Sequence, residues 1–364
     1  ERPVSNKKIG FLGAETAFVA DYHDESLKTD TVGYAVLRGR LDKWLMAEAQ
    51  KAGAIVVTGV NVEGVYDDNG TIRGVKSGGE ITYADVVIIA DGANSRLTLQ
   101  GDLRNGQTKL DAHHYALGVK EVIKLDKAVM EDRFGIGETG GMAGEFVIGR
   151  DDGIMAGGFL YTNKDTLSLG VVVNLETLEG TNKTTHEIIE EFRAQPYIAN
   201  LVKGGEIVEY GAHLVPEGGY ESFAELYRDG VMVVGDAAGF CFSNGIVIQG
   251  MNYAIRSGIC AADAVEVAVK KGDFSAVTLH AYEKLLEQDG ILGDFKRFKT
   301  VSKALWNPRM FSTYPDFFAE IFRSILSAEG KKKKMKQHLF GAMAAVGLKK
   351  GDAAKDAMIM GANL

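Results

Sequence analysis

The stretch "VMVVGDAAGFCFSNGIVIQGMNYAIRSG", Val231 to Gly258, decides the fold. An apolar run, Val231 to Val234, reads as a buried strand. It ends in Gly235-Asp236-Ala237-Ala238-Gly239, where small residues let the backbone approach a ligand. The Asp236 carboxylate can accept hydrogen bonds from sugar-like hydroxyls. Gly250 then leads a helix from Met251 and Asn252. Its N-terminus would stabilise negative charge on a ligand. The pattern reads as the closing half of an FAD site. The alternative is a plain strand–turn–helix with a surface aspartate.

A second strand end resembles the first. In "IIADGANSRL" an apolar run stops at Asp91-Gly92, with Ser95 and Arg96 beyond. A turn followed by a helix cap explains it equally well. Upstream, "LRGRLDKWLMAEAQKAGA" has the spacing of an amphipathic helix that Gly53 ends. Arg38 at its start could meet a diphosphate, or simply be solvated. "KIGFLGAETAFVADYH" predicts paired strands over Ile9–Tyr22. "AIVVTGV" predicts a strand, Asn69-Gly70 a hairpin turn, and "ADVVIIADG" a strand buried on both faces.

Two glycine runs could pass for a dinucleotide finger. "GIGETG", Gly135 to Gly140, matches GxGxxG, but it follows "EDRF" and precedes "GMAGEF", where strand and helix are required. "GFLGAE", Gly10 to Glu15, is followed by alternating residues and reads as a turn.

The boundaries predict a sheet-rich substrate domain over 1–35 and 105–228, with one helix in it whose Thr184 and Glu187 are spaced as a capping box. A nucleotide-binding domain is predicted over 36–104 and 229–272, and a helical C-terminal region over 273–364. The fold class is α/β (α+β).

Composition bounds the function. The chain has 364 residues and a formal charge of −8, which argues against nucleic acid as a partner. Its 45 glycines against 5 prolines fit close backbone approaches. Two cysteines, Cys241 and Cys260, are too few for a cysteine-ligated cluster and read as buried thiols of a reducing compartment. The histidines show no metal-ligand spacing, so no metal is expected. No apolar run is long enough to cross a membrane. A helical stripe of Phe311, Tyr314, Phe318, Ile321 and Ile325 precedes Lys331–Lys334. It reads either as core beside a solvated face or as a lipid-contacting surface.

Five stretches carry a resemblance: "HHYALGVKEV", "GGFLYTNKD", "VLRGRLDKWL", "AHLVPEGG" and "VGDAAGFCF". Over Lys8 to Leu364 the chain closely resembles the FixC flavoproteins, quinone-reducing subunits of electron-bifurcating complexes. These are similar to electron-transfer-flavoprotein:quinone oxidoreductase, and more distantly to geranylgeranyl reductases and p-hydroxybenzoate hydroxylase. The first four stretches are specific to the quinone branch. The resemblance implies a glutathione-reductase/p-hydroxybenzoate-hydroxylase-type FAD-binding domain with an inserted sheet-rich substrate domain. It implies electron transfer from an electron-transfer flavoprotein, through a separate ferredoxin-like iron–sulfur protein, to a membrane quinone. The localisation implied is cytoplasmic, at the inner face of the membrane.

By the same resemblance Arg38, Asp91, Gly92, Gly235, Asp236, Ala237, Gly239, Gly250, Met251 and Asn252 would hold FAD. His113, His114, Tyr115, Gly118 and Lys120 would line the joint between domains. Gly157, Gly158 and Phe159, with Tyr210, His213, Pro216, Glu217, Gly218 and Gly219, would shape the quinone side. Family members open with a strand, GxGxxG and a helix, and this sequence starts after them. The expectation is therefore an N-terminally truncated chain, whose hold on FAD depends on whether the remaining motifs suffice. Two other readings stand beside this one. A pocket shaped for a long isoprenoid would favour a prenyl-lipid reductase, and a flavin-free fold would favour an interaction module.

Overall fold

The computed structural model describes residues 2–30, 33–245, 247–301, 306–330 and 332–363. The chain forms two compact units, one of Glu1–Val56, Leu117–His213 and Trp306–Ile359, the other of Val57–Ala116, Leu214–Leu305 and Met360–Leu364. The expected boundaries differ from this division. Residues 36–56 group with the sheet-rich unit, and the C-terminal helices divide between the two.

The first unit is built on a large sheet. Its strands run in the order Glu206–Pro216, Tyr115–Lys124, Thr166–Asn174, Ala156–Thr162, Gly141–Ile148, Arg2–Leu12 and Ala17–His23. The predicted hairpin is present: Ile9 pairs with Ala20 and Leu12 with Ala17. Arg2–Leu12 also pairs in parallel with Gly141–Ile148. The core beneath the sheet is aliphatic and aromatic, with Leu160, Leu169, Val171, Ile188 and Phe192 fully buried. The helix Thr185–Ala194 begins in the predicted capping box, Thr184 and Glu187 satisfying each other's backbone N–H.

Glycines in this sheet make room for aromatic rings. A Cβ on Gly158 would stand 2.4 Å from Phe192 Cζ, and one on Gly170 2.2 Å from Phe159 Cζ. Gly158 therefore lies beneath the Phe192 ring.

The second unit has a short sheet ordered Tyr227–Arg228, Val231–Val233, Val87–Ile89, and a meander of Gly64–Asp68, Thr71–Ser77 and Glu80–Tyr83. Val231–Val233 is central and fully buried, as its apolar run predicts. Among the described residues Val87–Ile89 pairs, in parallel, with Val231–Val233 alone, and while Val87 and Ile89 are buried, Ile88 on the opposite face stays 41% exposed. The expectation of burial on both faces fails there. "AIVVTGV" also forms no strand, and Ile55 is 92% exposed. A strand needs a neighbour for its backbone groups, and none of the described residues pairs with this segment. Asn69 and Gly70 make the predicted two-residue turn, both with positive φ.

"GIGETG" connects the helix Lys127–Phe134 to the strand Gly141–Ile148, the reverse of a nucleotide finger. Gly135 caps that helix in the left-handed conformation. "GFLGAE" runs from a strand end into the turn before Ala17. Among the described residues no helix is long and apolar enough to cross a membrane.

The aromatic stripe of the C-terminal region packs mostly inward. Phe311 is buried, Tyr314 and Ile321 pack on the Phe317–Met343 cluster, and Phe318 stacks on Phe18 with ring centroids 4.7 Å apart. Of the five stripe residues, Ile325 is exposed, joined by Phe322 and Leu326. Lys331 lies outside the described residues, and Lys332–Lys334 are exposed.

Candidate functional site

The site belongs to the second unit and starts from the buried strand Val231–Val233. The chain leaves it through Gly235, whose φ of +57° falls in the left-handed region. A Cβ there would come 3.2 Å from Ala254 Cβ, so glycine lets the turn sit on the helix Met251–Lys271. The Gly235 N–H donates to Ser257 Oγ at 3.0 Å, fixing turn to helix. Gly239, at φ +94°, closes the one-turn helix Gly235–Ala238. Ala237 is fully buried and Asp236 half-buried.

The helix Met251–Lys271 carries no side-chain cap at Gly250. Asn252 turns its amide to Gln249 Oε1 at 2.8 Å, and Met251 is exposed. The first-turn N–H groups therefore form an electropositive end close to Asp236. Gly250 sits between them: a Cβ on it would stand 3.5 Å from Asp236 Oδ1 and 3.8 Å from Cys241 Sγ.

Arg104 holds this turn from behind, and no sequence pattern marks it. "DLRNGQ" looks like a solvated loop, yet Arg104 is only 5% exposed. Its guanidinium donates to Ala237 O at 2.8 Å, Ser222 O at 3.2 Å and Thr98 Oγ1 at 3.3 Å. Tyr115 is buried near Arg104 and Asp236. Desolvation raises its phenol pKa, opposed by Arg104 and reinforced by the Asp236 charge.

The "HHY" and "PEGG" segments meet in the same unit. Asp111 caps the 3-10 turn Ala112–His114, and the His113 and His114 rings stand 5.6 Å apart. The His114 carbonyl accepts from the Glu217 N–H at 2.8 Å. A Cβ on Gly218 would fall 2.7 Å from His114 Cβ and 2.5 Å from Ser222, which explains glycine there. Gly219 turns at φ +65°. Glu217 is thus directed into the unit, beside a cavity whose walls include Tyr220, Cys241, Phe242, Phe295 and Phe298.

The other expected residues are placed as follows. Asp91 Oδ2 accepts from Leu97 N at 3.3 Å, and Ser95 caps Arg96–Gln100, so this strand end has turn-and-cap geometry; Gly92 turns at φ +82°. Arg38, Lys120, Tyr210 and His213 belong to the first unit. Arg38 forks onto Asp42 at 2.8 and 3.0 Å. Lys120 Nζ lies 3.6 Å from Glu209. Tyr210 and His213 are exposed on the edge strand Glu206–Pro216, with His186 edge-on to Tyr210. Among the described residues no cluster of side chains could hold a metal ion. Both cysteines are free and buried, as expected.

Residues 115–215 match the ubiquinone-binding domain of ETF-QO. The Escherichia coli protein YdiS, named a probable electron transfer flavoprotein-quinone oxidoreductase, is 41% identical over 96% of this chain and 81% of its own length. FixC of Salmonella typhimurium is 41% identical over 93% of this chain and 79% of its own. The chain belongs to the FixC and electron transfer flavoprotein–quinone oxidoreductase family. Among solved structures, a geranylgeranyl bacteriochlorophyll reductase-like protein from Thermoplasma acidophilum superposes with a TM-score of 0.63. It is 20% identical and covers 99% of this chain and 83% of its own. A flavoprotein/dehydrogenase from Cytophaga hutchinsonii gives 0.56, at 17% identity, over 99% of this chain and 84% of its own. These family members and neighbours confirm the mixed α/β flavoprotein fold expected from the Gly-Asp turn and the inserted sheet.

Proposed function

We propose that this oxidoreductase uses FAD to carry electrons from an electron-transfer flavoprotein to a quinone. The observation that carries the reading is the pairing of Asp236 with the uncapped start of Met251–Lys271 across Gly250. A carboxylate there suits the hydroxyls of a ribityl chain, and the Met251 and Asn252 N–H groups suit an electron-rich ring edge. FAD, when bound, supplies the redox chemistry. The chain's own part is to hold and orient it: Asp236 accepts hydrogen bonds, Gly235 and Gly250 keep the backbone close, and Arg104 anchors the turn.

Arg38, Asp91 and Gly92 are proposed to face the cofactor, and His113, His114, Tyr115, Lys120, Tyr210, His213, Gly218 and Gly219 to shape access for the acceptor. The described residues contain no strand–GxGxxG–helix unit, so the proposed contacts serve the flavin end of FAD. A ferredoxin-like iron–sulfur protein is proposed as the intermediate carrier, in an electron-bifurcating assembly. Two cysteines fall short of the four thiolates that a cysteine-ligated cluster takes. Contact with the cytoplasmic membrane face is proposed through exposed Leu326 and Met335 next to Lys332–Lys334.

The deciding experiment is a visible spectrum of the purified chain after mixing with excess FAD and desalting. Retained flavin near one per chain supports the reading and makes quinone-reduction assays the next step. A colourless protein that stays colourless overturns flavin binding by this polypeptide and favours the interaction-module reading.

A further inference from the structure

Glu217 is a buried acid that the binding of FAD leaves unused. It is 9% exposed, and neither Oε1 nor Oε2 has a hydrogen-bond partner. A buried carboxylate without a partner or a counter-charge is costly, so such a group stays protonated. Burial pushes this acid up to about 8. Its backbone is fixed by the N–H bond to His114 O and by the packing of Gly218, so the scaffold holds the side chain in place.

The acid borders a cavity whose other walls include Tyr220, Cys241, Phe242, Ile248, Phe295 and Phe298. About 30 Å³ of it is open to the centre of a water molecule, room for one or two waters. The titratable neighbours are Tyr220 and Cys241. The Cys241 thiol is pushed well up by burial first, then by Glu217 and Asp236. Lys296 lies 5.9 Å from the Tyr220 ring centroid. No lysine or arginine lines the cavity among the described residues. A cavity of that size with one neutral acid suits a bound water that can pass the acid's proton on to an oxygen acceptor outside it.

We propose that Glu217 is the proton donor of this site, giving its carboxyl proton, directly or across one water, to an oxygen of a quinone as that quinone is reduced. The inference rests on the quinone-reducing reading above. Reduction of a quinone takes two electrons, which a bound reduced flavin would supply, and two protons, one from Glu217 and the other from water. The carboxyl O–H bond breaks, the second quinol O–H bond forms, and the carboxylate regains a proton from water. Supplying the proton from a neutral acid near its pKa is efficient at physiological pH.

The test uses flavin-loaded protein, a short-chain ubiquinone analogue, and the Glu217→Gln and Glu217→Asp variants. Infrared spectroscopy should show a protonated-carboxyl band at neutral pH that titrates near pH 8 and vanishes in Glu217→Gln. Quinone reduction by Glu217→Gln should fall roughly 100-fold or more, with flavin content and chemical reduction of the flavin unchanged. Glu217→Asp should recover part of the rate with a shifted pH profile. Absence of the band, or wild-type turnover by Glu217→Gln, overturns the proton donor while leaving the quinone reading intact. A flavin-loaded wild type that reduces no quinone overturns the quinone reading and the donor with it, whatever the band shows. Should Glu217→Gln fail to fold, the Glu217→Asp rate and band decide between the same outcomes.

Discussion

Gly250 lies against the carboxylate of Asp236, close enough that a Cβ at residue 250 would be in van der Waals contact with Oδ1 at 3.5 Å. The helix start and the acid therefore act on the same small volume. Replacing Asp236 by Ala removes the charged acceptor and keeps the helix. Flavin affinity should drop about 10- to 100-fold, the worth of one or two hydrogen bonds to a charged group. Flavin absorbance after desalting measures it, and unchanged occupancy would refute the assigned role.

Arg104 is the cation that fastens the same turn. Arg104→Met keeps the apolar stem but leaves the Ala237 and Ser222 carbonyls without their donor. Stability should fall by roughly 3 kcal/mol. Urea denaturation checks this, and a loss under about 0.5 kcal/mol would mean that water replaces the guanidinium.

Glu217 links stability to pH. The folded acid keeps its proton up to about 8, whereas the unfolded chain releases it near 4.5. Its contribution is fully present below the lower value and is lost as pH rises through the upper one, because the unfolded state then binds fewer protons. Glu217→Gln removes that slope. Relative to wild type, the variant should gain up to roughly 5 kcal/mol between about pH 4.5 and about pH 8. Denaturation midpoints across that range measure it, and parallel curves for the two proteins would contradict the buried neutral acid.

Gly158 and Phe192 make a reciprocal pair. Gly158→Ala should cost about 1–3 kcal/mol by driving a methyl group into the ring. In a Phe192→Leu background the same change should cost much less. A double-mutant cycle with additive effects would show that the strand shifts to absorb the methyl group.

The exposed C-terminal face offers a binding test. Replacing Lys332, Lys333 and Lys334 by Gln should weaken association with anionic vesicles at low salt, by about 1 kcal/mol per lysine near the surface. Leu326→Ser should weaken it further at any salt. Binding that ignores both changes would leave the lysines as a solvated face.

Local chemistry was legible where one segment is enough. The Asn69-Gly70 turn, the Thr184–Glu187 capping box, the Ile9–Tyr22 hairpin and the Val231–Val234 strand are each written in a few neighbouring residues. The "GIGETG" match could be rejected for the same reason, since its flanks decide whether it lies between strand and helix. Asp236 and Gly250 were legible as a pair because strand, turn and helix follow one another in the chain.

Tertiary structure decided what depends on distant partners. A strand needs a neighbour, so "AIVVTGV", which pairs with none of the described residues, forms no strand, and Ile55 stays exposed despite its apolar sequence. The Phe318 stripe became packing because Phe18 comes to it from across the chain. Arg104 is bound to Ala237, far along the sequence, by the fold alone. The sequence alone determined the locally encoded elements, the Gly-Asp turn and the family. Only the fold decided which polar groups lose water, and that desolvation turned Glu217 from one acid among many into a neutral one.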